Sequence, residues 1–306
     1  MERVDIKVGF YCNNQCAFCV QGRKRDFLPA KSVAEIKAAL IEAKDKGKEE
    51  VVFTGGEPTL HPEFLRLVEI AKDLDFKQIQ IQSNGRRFAY LDFCLKTIKA
   101  GATQFSPALH GHQAKIHDLL TDAPGSFEQT VAGIKNLKKL NQYVLTNTVI
   151  TSKNYKFLPE IAKLLISLGV DQFQFAFVHI LGTAEKNKDW LVPRNSKIMP
   201  YVKKGLDVGI KAGKKVTTEA IPYCLMRGYE EYIAEKIIPT TRIYDAGFVV
   251  EDYGQYRLNK GKIRRKECEQ CQFGNECEGP WKEYVELYGW SEFKPVKNNP
   301  KKYARK

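Results

Sequence analysis

The sequence predicts an α/β fold, a partial (β/α)6 barrel followed by a smaller cysteine-bearing domain. Two observations carry that reading. Through the first two thirds of the chain, short runs rich in Val, Ile, Phe and Tyr alternate with longer amphipathic stretches. After about Thr217 the alternation stops, and a segment rich in Tyr, charge and cysteine replaces it. With 306 residues, 43% of them hydrophobic, the chain is long enough to bury a substantial core.

Residues 5–10, 50–53, 78–82, 103–106, 143–150 and 172–177 read as strands. Between them, residues 33–46, 62–73, 88–100, 127–140 and 158–168 have the period and length of crossover helices, and a further helix is expected over 199–212. Repeated βα units joined by short loops imply a parallel sheet with right-handed crossovers, so the strands should curl into a full or partial barrel. Functional groups then belong at the C-terminal ends of the strands. The expected division is 1–217 for the barrel and 218–306 for the second domain, which ends in a basic tail, Lys301-Lys-Tyr-Ala-Arg-Lys306.

No stretch approaches the roughly 18 uninterrupted apolar residues of a membrane span, and the first residues lack the apolar core of a signal peptide. A cytoplasmic location is expected. In that reducing compartment the eight cysteines suggest metal ligation rather than a disulfide framework. The net charge of +13 would draw anionic partners such as phosphorylated metabolites or RNA, although a lysine-rich solvated surface has the same composition.

Cys12-Asn-Asn-Gln-Cys16-Ala-Phe-Cys19 follows the first expected strand and places three thiols in one tight loop. Thiolates suit iron–sulfur clusters and zinc alike, but a zinc site would want a fourth Cys or His nearby and the loop has none. One unit later, Gly55-Gly56-Glu57-Pro58 ends a strand; two glycines let backbone approach closely, and the acid can accept hydrogen bonds from an ammonium group.

The C-x3-C-x2-C spacing with Phe18 before the last cysteine resembles the signature of the radical S-adenosylmethionine (radical SAM) superfamily. The resemblance implies a TIM-like partial barrel and assigns Cys12, Cys16 and Cys19 to a 4Fe–4S cluster. The open iron of such a cluster chelates S-adenosylmethionine and drives its cleavage to a 5′-deoxyadenosyl radical. Gly55, Gly56 and Glu57 look like the motif that holds the methionine amino group. Ser83, Asn84, Ser106 and Asn147, at or near later strand ends, are similar to polar contacts of the cofactor's ribose and carboxylate. His110 and His112 are candidate proton-transfer residues in the loop after the fourth strand.

Cys224 and the run Cys268-Glu-Gln-Cys271-Gln-Phe-Gly-Asn-Glu-Cys277 supply four further thiols, a set that zinc could also use. The segment resembles the SPASM and twitch extensions of that superfamily, which implies one auxiliary 4Fe–4S cluster, saturated by thiolates and suited to carrying electrons. Cys94 is left over, an apolar filler of its helix. The resemblance also implies an electron donor such as ferredoxin or flavodoxin.

Arg23-Lys-Arg25 and Lys262-Ile-Arg-Arg-Lys266 flank the two thiol groups and favour an anionic substrate between them, a phosphorylated metabolite, nucleotide or RNA. A peptide or protein side chain, oxidised or cross-linked, is the alternative. It is weakened because Cys12 comes too early to leave room for an N-terminal leader-binding domain. The remote alternative is a zinc-bearing nucleic-acid-binding protein, which leaves the Gly55–Glu57 loop unexplained.

Overall fold

Parallel pairing organises the chain. The computed structural model describes residues 2–297; the expected basic tail lies outside them. Strands β1 (Arg3–Lys7), β2 (Glu50–Thr54), β3 (Gln78–Ser83), β4 (Gln104–Pro107), β5 (Tyr143–Ile150) and β6 (Gln172–Phe177) occur in sequence order and pair neighbour to neighbour in parallel. Helices α1 (Val33–Asp45), α2 (Phe64–Asp73), α3 (Leu91–Ala100), α4 (Ala114–Thr121), α5 (Ser126–Lys139) and α6 (Leu158–Ser167) supply the crossovers. The sheet is open, as a partial barrel requires.

Local chemistry sets the helix ends. Ser32 and Glu35 form a reciprocal capping box at α1. At α5, Asp118 caps from a distance: its carboxylate accepts the Gly125 and Phe127 N–H groups and the Ser126 hydroxyl, each at 2.8–2.9 Å. Cys94 is buried in α3 and donates to the Phe88 carbonyl, the filler role its setting suggested.

The parallel alternation runs slightly past the expected division. Strand β7 (Lys215–Glu219) pairs with β6, so residue 217 falls inside the last parallel strand. Before it come two single helical turns, α7 (Thr183–Lys186) and α8 (Lys188–Leu191), and the long helix α9 (Asn195–Lys211). The chain then returns to the other edge, where β8 (Thr241–Tyr244) pairs parallel with β1 and antiparallel with the two-residue β9 (Val249–Val250). The final sheet order is β7-β6-β5-β4-β3-β2-β1-β8-β9. Two last helices, α10 (Tyr253–Tyr256) and α11 (Lys282–Tyr288), bracket the second cysteine run.

The outward sides of the strands, such as Ile79 and Ile81 of β3 or Phe173 and Phe175 of β6, are buried in the apolar core. The inward sides are mostly polar, with Val52, Leu145 and Ile243 among them, and line a lumen. No helix among the described residues is long and apolar enough to cross a membrane.

Candidate functional site

Three loops meet at the C-terminal edge of β1, β2 and β3. The loop that carries Cys12, Cys16 and Cys19 leaves β1, and the loop after β2 packs directly against its start. Gly56 N–H donates to the Gly9 carbonyl and Glu57 N–H to the Tyr11 carbonyl, both at 2.8 Å. A Cβ on Gly55 or Gly56 would collide with the carbonyl oxygens of Gly9, Phe10 and Tyr11. Gly55 also sits at φ +132°. The glycine pair thus permits backbone to meet backbone beneath the thiols, a tighter requirement than approach to a ligand.

Glu57 is buried and ties β2 to β3. One carboxylate oxygen accepts from Thr59 N–H (3.1 Å), the Thr59 hydroxyl (2.6 Å) and the Ser83 hydroxyl (2.8 Å); the other accepts Asn84 N–H at 2.6 Å. Burial raises its pKa, and those four donors pull it back. Only the second oxygen keeps free lone-pair capacity for a further donor. Asn84 in turn donates to the Asn13 side chain at 2.6 Å and stands 4.0 Å from the Cys12 sulfur.

Two arginines brace the cysteine loop. Arg86 donates to the Asn13 carbonyl and the Asn14 side chain, and Arg25 to the Asn14 carbonyl. Beyond them, Gln15 and Ala17 N–H groups bond the carbonyls that end α4, and Thr183 N–H bonds the Cys19 carbonyl at 2.8 Å. Burial and the neighbouring Cys19 and Cys12 push the Cys16 thiol strongly up, while burial also raises Cys12. Crowded thiols of this kind gain by binding a cation that relieves their repulsion.

His110 is buried and neutral. Its Nδ1 accepts Val149 N–H at 3.2 Å, its backbone N–H donates to His117 Nδ1, and its ring packs edge-on to Phe18 at 4.5 Å. Burial, then His117, holds its pKa well below the usual range. Its geometry positions Phe18 inside the cysteine loop. His112 is half-buried, its ring against Phe157 and its Nδ1 without a hydrogen bond.

Ser106 and Asn147 face a different space, the lumen, a cavity of about 710 Å³. Asn147 Oδ1 is buried there without a partner. The lining missed by the sequence reading is a set of amides: Gln78, Gln80 and Gln82 of β3, Gln104 of β4, and Gln172 and Gln174 of β6. The signal was present in Gln78-Ile-Gln-Ile-Gln82 and Gln172-Phe-Gln-Phe175, whose strict alternation gives each strand one polar face. Most of the lumen's charges pair off, Arg3 with Glu50, Lys7 with Asp5, Lys24 with Asp245 and Arg257 with Glu219, while Lys215 has no ion-pair partner among the described residues.

The basic runs are partly tied down, although Arg23, Arg264 and Lys266 stay exposed. Arg23 pairs with Asp26, Lys24 with Asp245, and Arg25 braces Asn14. Arg264 donates to the Gly274 carbonyl and Arg265 to the Phe293 carbonyl.

The other four thiols, Cys224, Cys268, Cys271 and Cys277, line one small cavity with Pro222, Gly274, Pro280 and Phe293. Val296 N–H donates to the Cys271 sulfur at 3.3 Å. Among the described residues no three His, Cys, Asp or Glu side chains close on a point fit for a single ion. Four thiols around one cavity are a ligand set that either zinc or a 4Fe–4S cluster could take.

Comparison with known proteins agrees with this geometry. Residues 6–165 match the model of the Radical SAM superfamily. The AdoMet-dependent heme synthase of Oleidesulfovibrio alaskensis is 28% identical over 52% of this chain and 40% of its own. A probable GTP 3′,8-cyclase of Sulfurisphaera tokodaii is 26% identical over 62% of this chain and 60% of its own. The chain thus spans between about two fifths and three fifths of the length of these relatives. Among solved structures, Streptococcus suis SuiB bound to precursor peptide SuiA superposes with a TM-score of 0.70 at 17% identity, over 93% of this chain and 72% of that one. Native anSMEcpe with bound AdoMet gives 0.63 at 14%, over 92% and 89%.

A parallel partial barrel with three thiols at the C-terminal end of its first strand defines a protein built around a cluster and S-adenosylmethionine. The chain belongs to the radical SAM superfamily, and that membership implies a 4Fe–4S cluster and S-adenosylmethionine as cofactors.

Proposed function

We propose that the protein is an enzyme that cleaves S-adenosylmethionine reductively and uses the resulting radical on a polar, near-neutral substrate held in the barrel lumen. The observation that carries this is the position of the Cys12–Cys19 loop directly over the Glu57–Ser83–Asn84 network at the mouth of an amide-lined lumen. Cys12, Cys16 and Cys19 would hold the cluster, which when bound supplies the electron for cleavage of the sulfonium. Glu57, through the one oxygen with spare capacity, would accept the cofactor's ammonium; Gly55 and Gly56 set the height of that loop. Asn84 would orient the cofactor beside Cys12, while Ser106 and Asn147 face both cofactor and substrate from the lumen wall. His112, with its unpartnered nitrogen, is the better candidate of the two histidines for moving a proton.

Residues 218–306 would act as an auxiliary domain, with Cys224, Cys268, Cys271 and Cys277 holding a second 4Fe–4S cluster. Four thiolates saturate such a cluster and suit it to electron transfer. A redox protein such as ferredoxin or flavodoxin would deliver electrons. The mostly paired charges of the lumen and the engagement of Lys24 and Arg25 with Asp245 and the Asn14 carbonyl favour a near-neutral substrate over RNA or a polyphosphate. A peptide segment is the second reading, favoured by Gln80 and Gln82, whose amides match a backbone in both donors and acceptors, while Gln78, Gln104 and Gln174 are engaged within the wall.

The test is anaerobic reconstitution with iron and sulfide, then incubation with S-adenosylmethionine and dithionite. About eight irons per chain and release of 5′-deoxyadenosine are expected. Replacing Cys12, Cys16 and Cys19 by Ala should remove half the iron and all the cleavage. Stoichiometric zinc without sulfide would overturn the reading.

A further inference from the structure

A layer of buried charge separates the lumen from the auxiliary thiols. Lys262 forms an antiparallel bridge with Trp281, and Ile263 N–H donates to the Pro280 carbonyl at 3.1 Å. This segment therefore lies flat on the loop that follows Cys277. The approach requires glycine at 279, where φ is +83° and a Cβ would run into the Ile263 carbonyl. Gly279 and Pro280 themselves line the thiol cavity.

The result is an ammonium with 1% side-chain exposure placed against the wall of that cavity. Lys262 Nζ lies 3.4 Å from the Gly279 carbonyl oxygen and 3.9 Å from the centre of the Trp281 ring. His179 stacks on Trp281 at 3.7 Å and 6°, so ring and ammonium occupy opposite faces of the indole, and His179 lines the lumen.

Burying an ammonium is costly unless close anions compensate it. The nearest carboxylate oxygen, Glu278 Oε2, is 4.0 Å away, beyond hydrogen-bond reach, and the other oxygen of Glu278 is taken by Arg257 at 2.5 Å. Glu235 and Glu219 also act on Lys262, and the Gly279 carbonyl that its ammonium approaches belongs to the wall of the thiol cavity.

We propose that Lys262 sets the electron affinity of the auxiliary site, making the cluster held by Cys224, Cys268, Cys271 and Cys277 a better electron acceptor. The proposal rests on the reading of those thiols as ligands of a 4Fe–4S cluster. Reduction adds one electron, and so one negative charge, to a site walled off from water. A fixed cation at this range stabilises the reduced state more than the oxidised one. The electron would come from a substrate-derived radical in the lumen, which is oxidised by one electron as the cluster is reduced by one. Trp281 and His179 occupy the space between.

The experiment uses the full chain carrying Cys12→Ala, Cys16→Ala and Cys19→Ala, reconstituted anaerobically, so that only the auxiliary site loads. Iron and sulfide are counted first, and the reduction is then titrated by electron paramagnetic resonance in the presence of mediators. About four irons per chain are expected. Lys262→Met and Lys262→Gln should each disfavour reduction by about tenfold, a midpoint about 59 mV more negative. Lys262→Arg, which keeps the charge, should stay within about threefold of the parent, on the same scale. A parent without iron and sulfide would overturn the reading of the thiols and this inference with it. A loaded parent whose neutral variants shift by less than threefold would overturn the inference alone, as would loss of the cluster from both neutral variants, which would assign Lys262 to folding.

Discussion

The Glu57 carboxylate accepts the backbone N–H of Asn84 at 2.6 Å, which locks the loop after β2 to the end of β3 directly below the Cys12 sulfur. Glu57→Ala would strand four donors from Thr59, Ser83 and Asn84. A loss of roughly 3 kcal/mol of stability is expected, since each orphaned buried group costs about 1–3 kcal/mol and water recovers part of it. S-adenosylmethionine affinity should fall about tenfold to a hundredfold. Denaturant melts and equilibrium dialysis of the reconstituted protein measure the two effects; unchanged cofactor affinity would show that the loop serves the fold alone.

Gly55→Ala should harm the cysteine loop more than it harms the barrel. Its Cβ meets the Gly9 carbonyl, and the residue sits where φ is +132°. The expected cost is about 1–3 kcal/mol, with weakened iron retention at the first cluster. Wild-type iron content and wild-type melting would contradict the close packing seen here.

Glu235 should impose a pH dependence on stability. Burial pushes its pKa up to about 6, Lys262 opposes the shift, and Glu219 and Glu278 add to it. Between about pH 4.5 and 6 the folded chain holds this proton more tightly than the unfolded chain does, so the group's contribution falls as pH rises, by roughly 2 kcal/mol in all. Denaturant melts of wild type and Glu235→Gln across that range should diverge; parallel profiles would mean the carboxyl titrates normally.

Basic residues near the thiols should act through the fold. Arg25→Gln removes the brace on the Asn14 carbonyl and should lower iron retention at the first cluster. Filter binding of total RNA should be weak, with a log–log salt slope shallower than about −2, because few phosphates would be neutralised. A steep slope would restore RNA as a substrate candidate.

Much of this protein is legible in its residues because the governing interactions are local. The period-2 runs of β5 and β6 matched residues 143–150 and 172–177 end to end, and the three thiols at spacings of four and three needed only one loop. Helix α4 escaped because it is only eight residues long, and its carboxylate Asp118 acts as the cap of the next helix. Strand β8 escaped because four residues without a helix before them carry no periodic signal, and only pairing with β1 makes Thr241–Tyr244 a strand.

The sequence by itself determined the α/β alternation, the superfamily and the two groups of thiols, since each is written in residue type and spacing. Tertiary structure alone decided what the polar residues do. Glu57 is half spent on Ser83 and Asn84, which lie 26 and 27 residues away. His110 is neutral beneath Phe18, Arg25 is turned inward, and Lys262 is buried beside the second thiol cavity. The physical reason is that a charged or polar side chain takes its role from whichever partners and solvent surround it, and those are brought together by long-range contacts that no local pattern encodes.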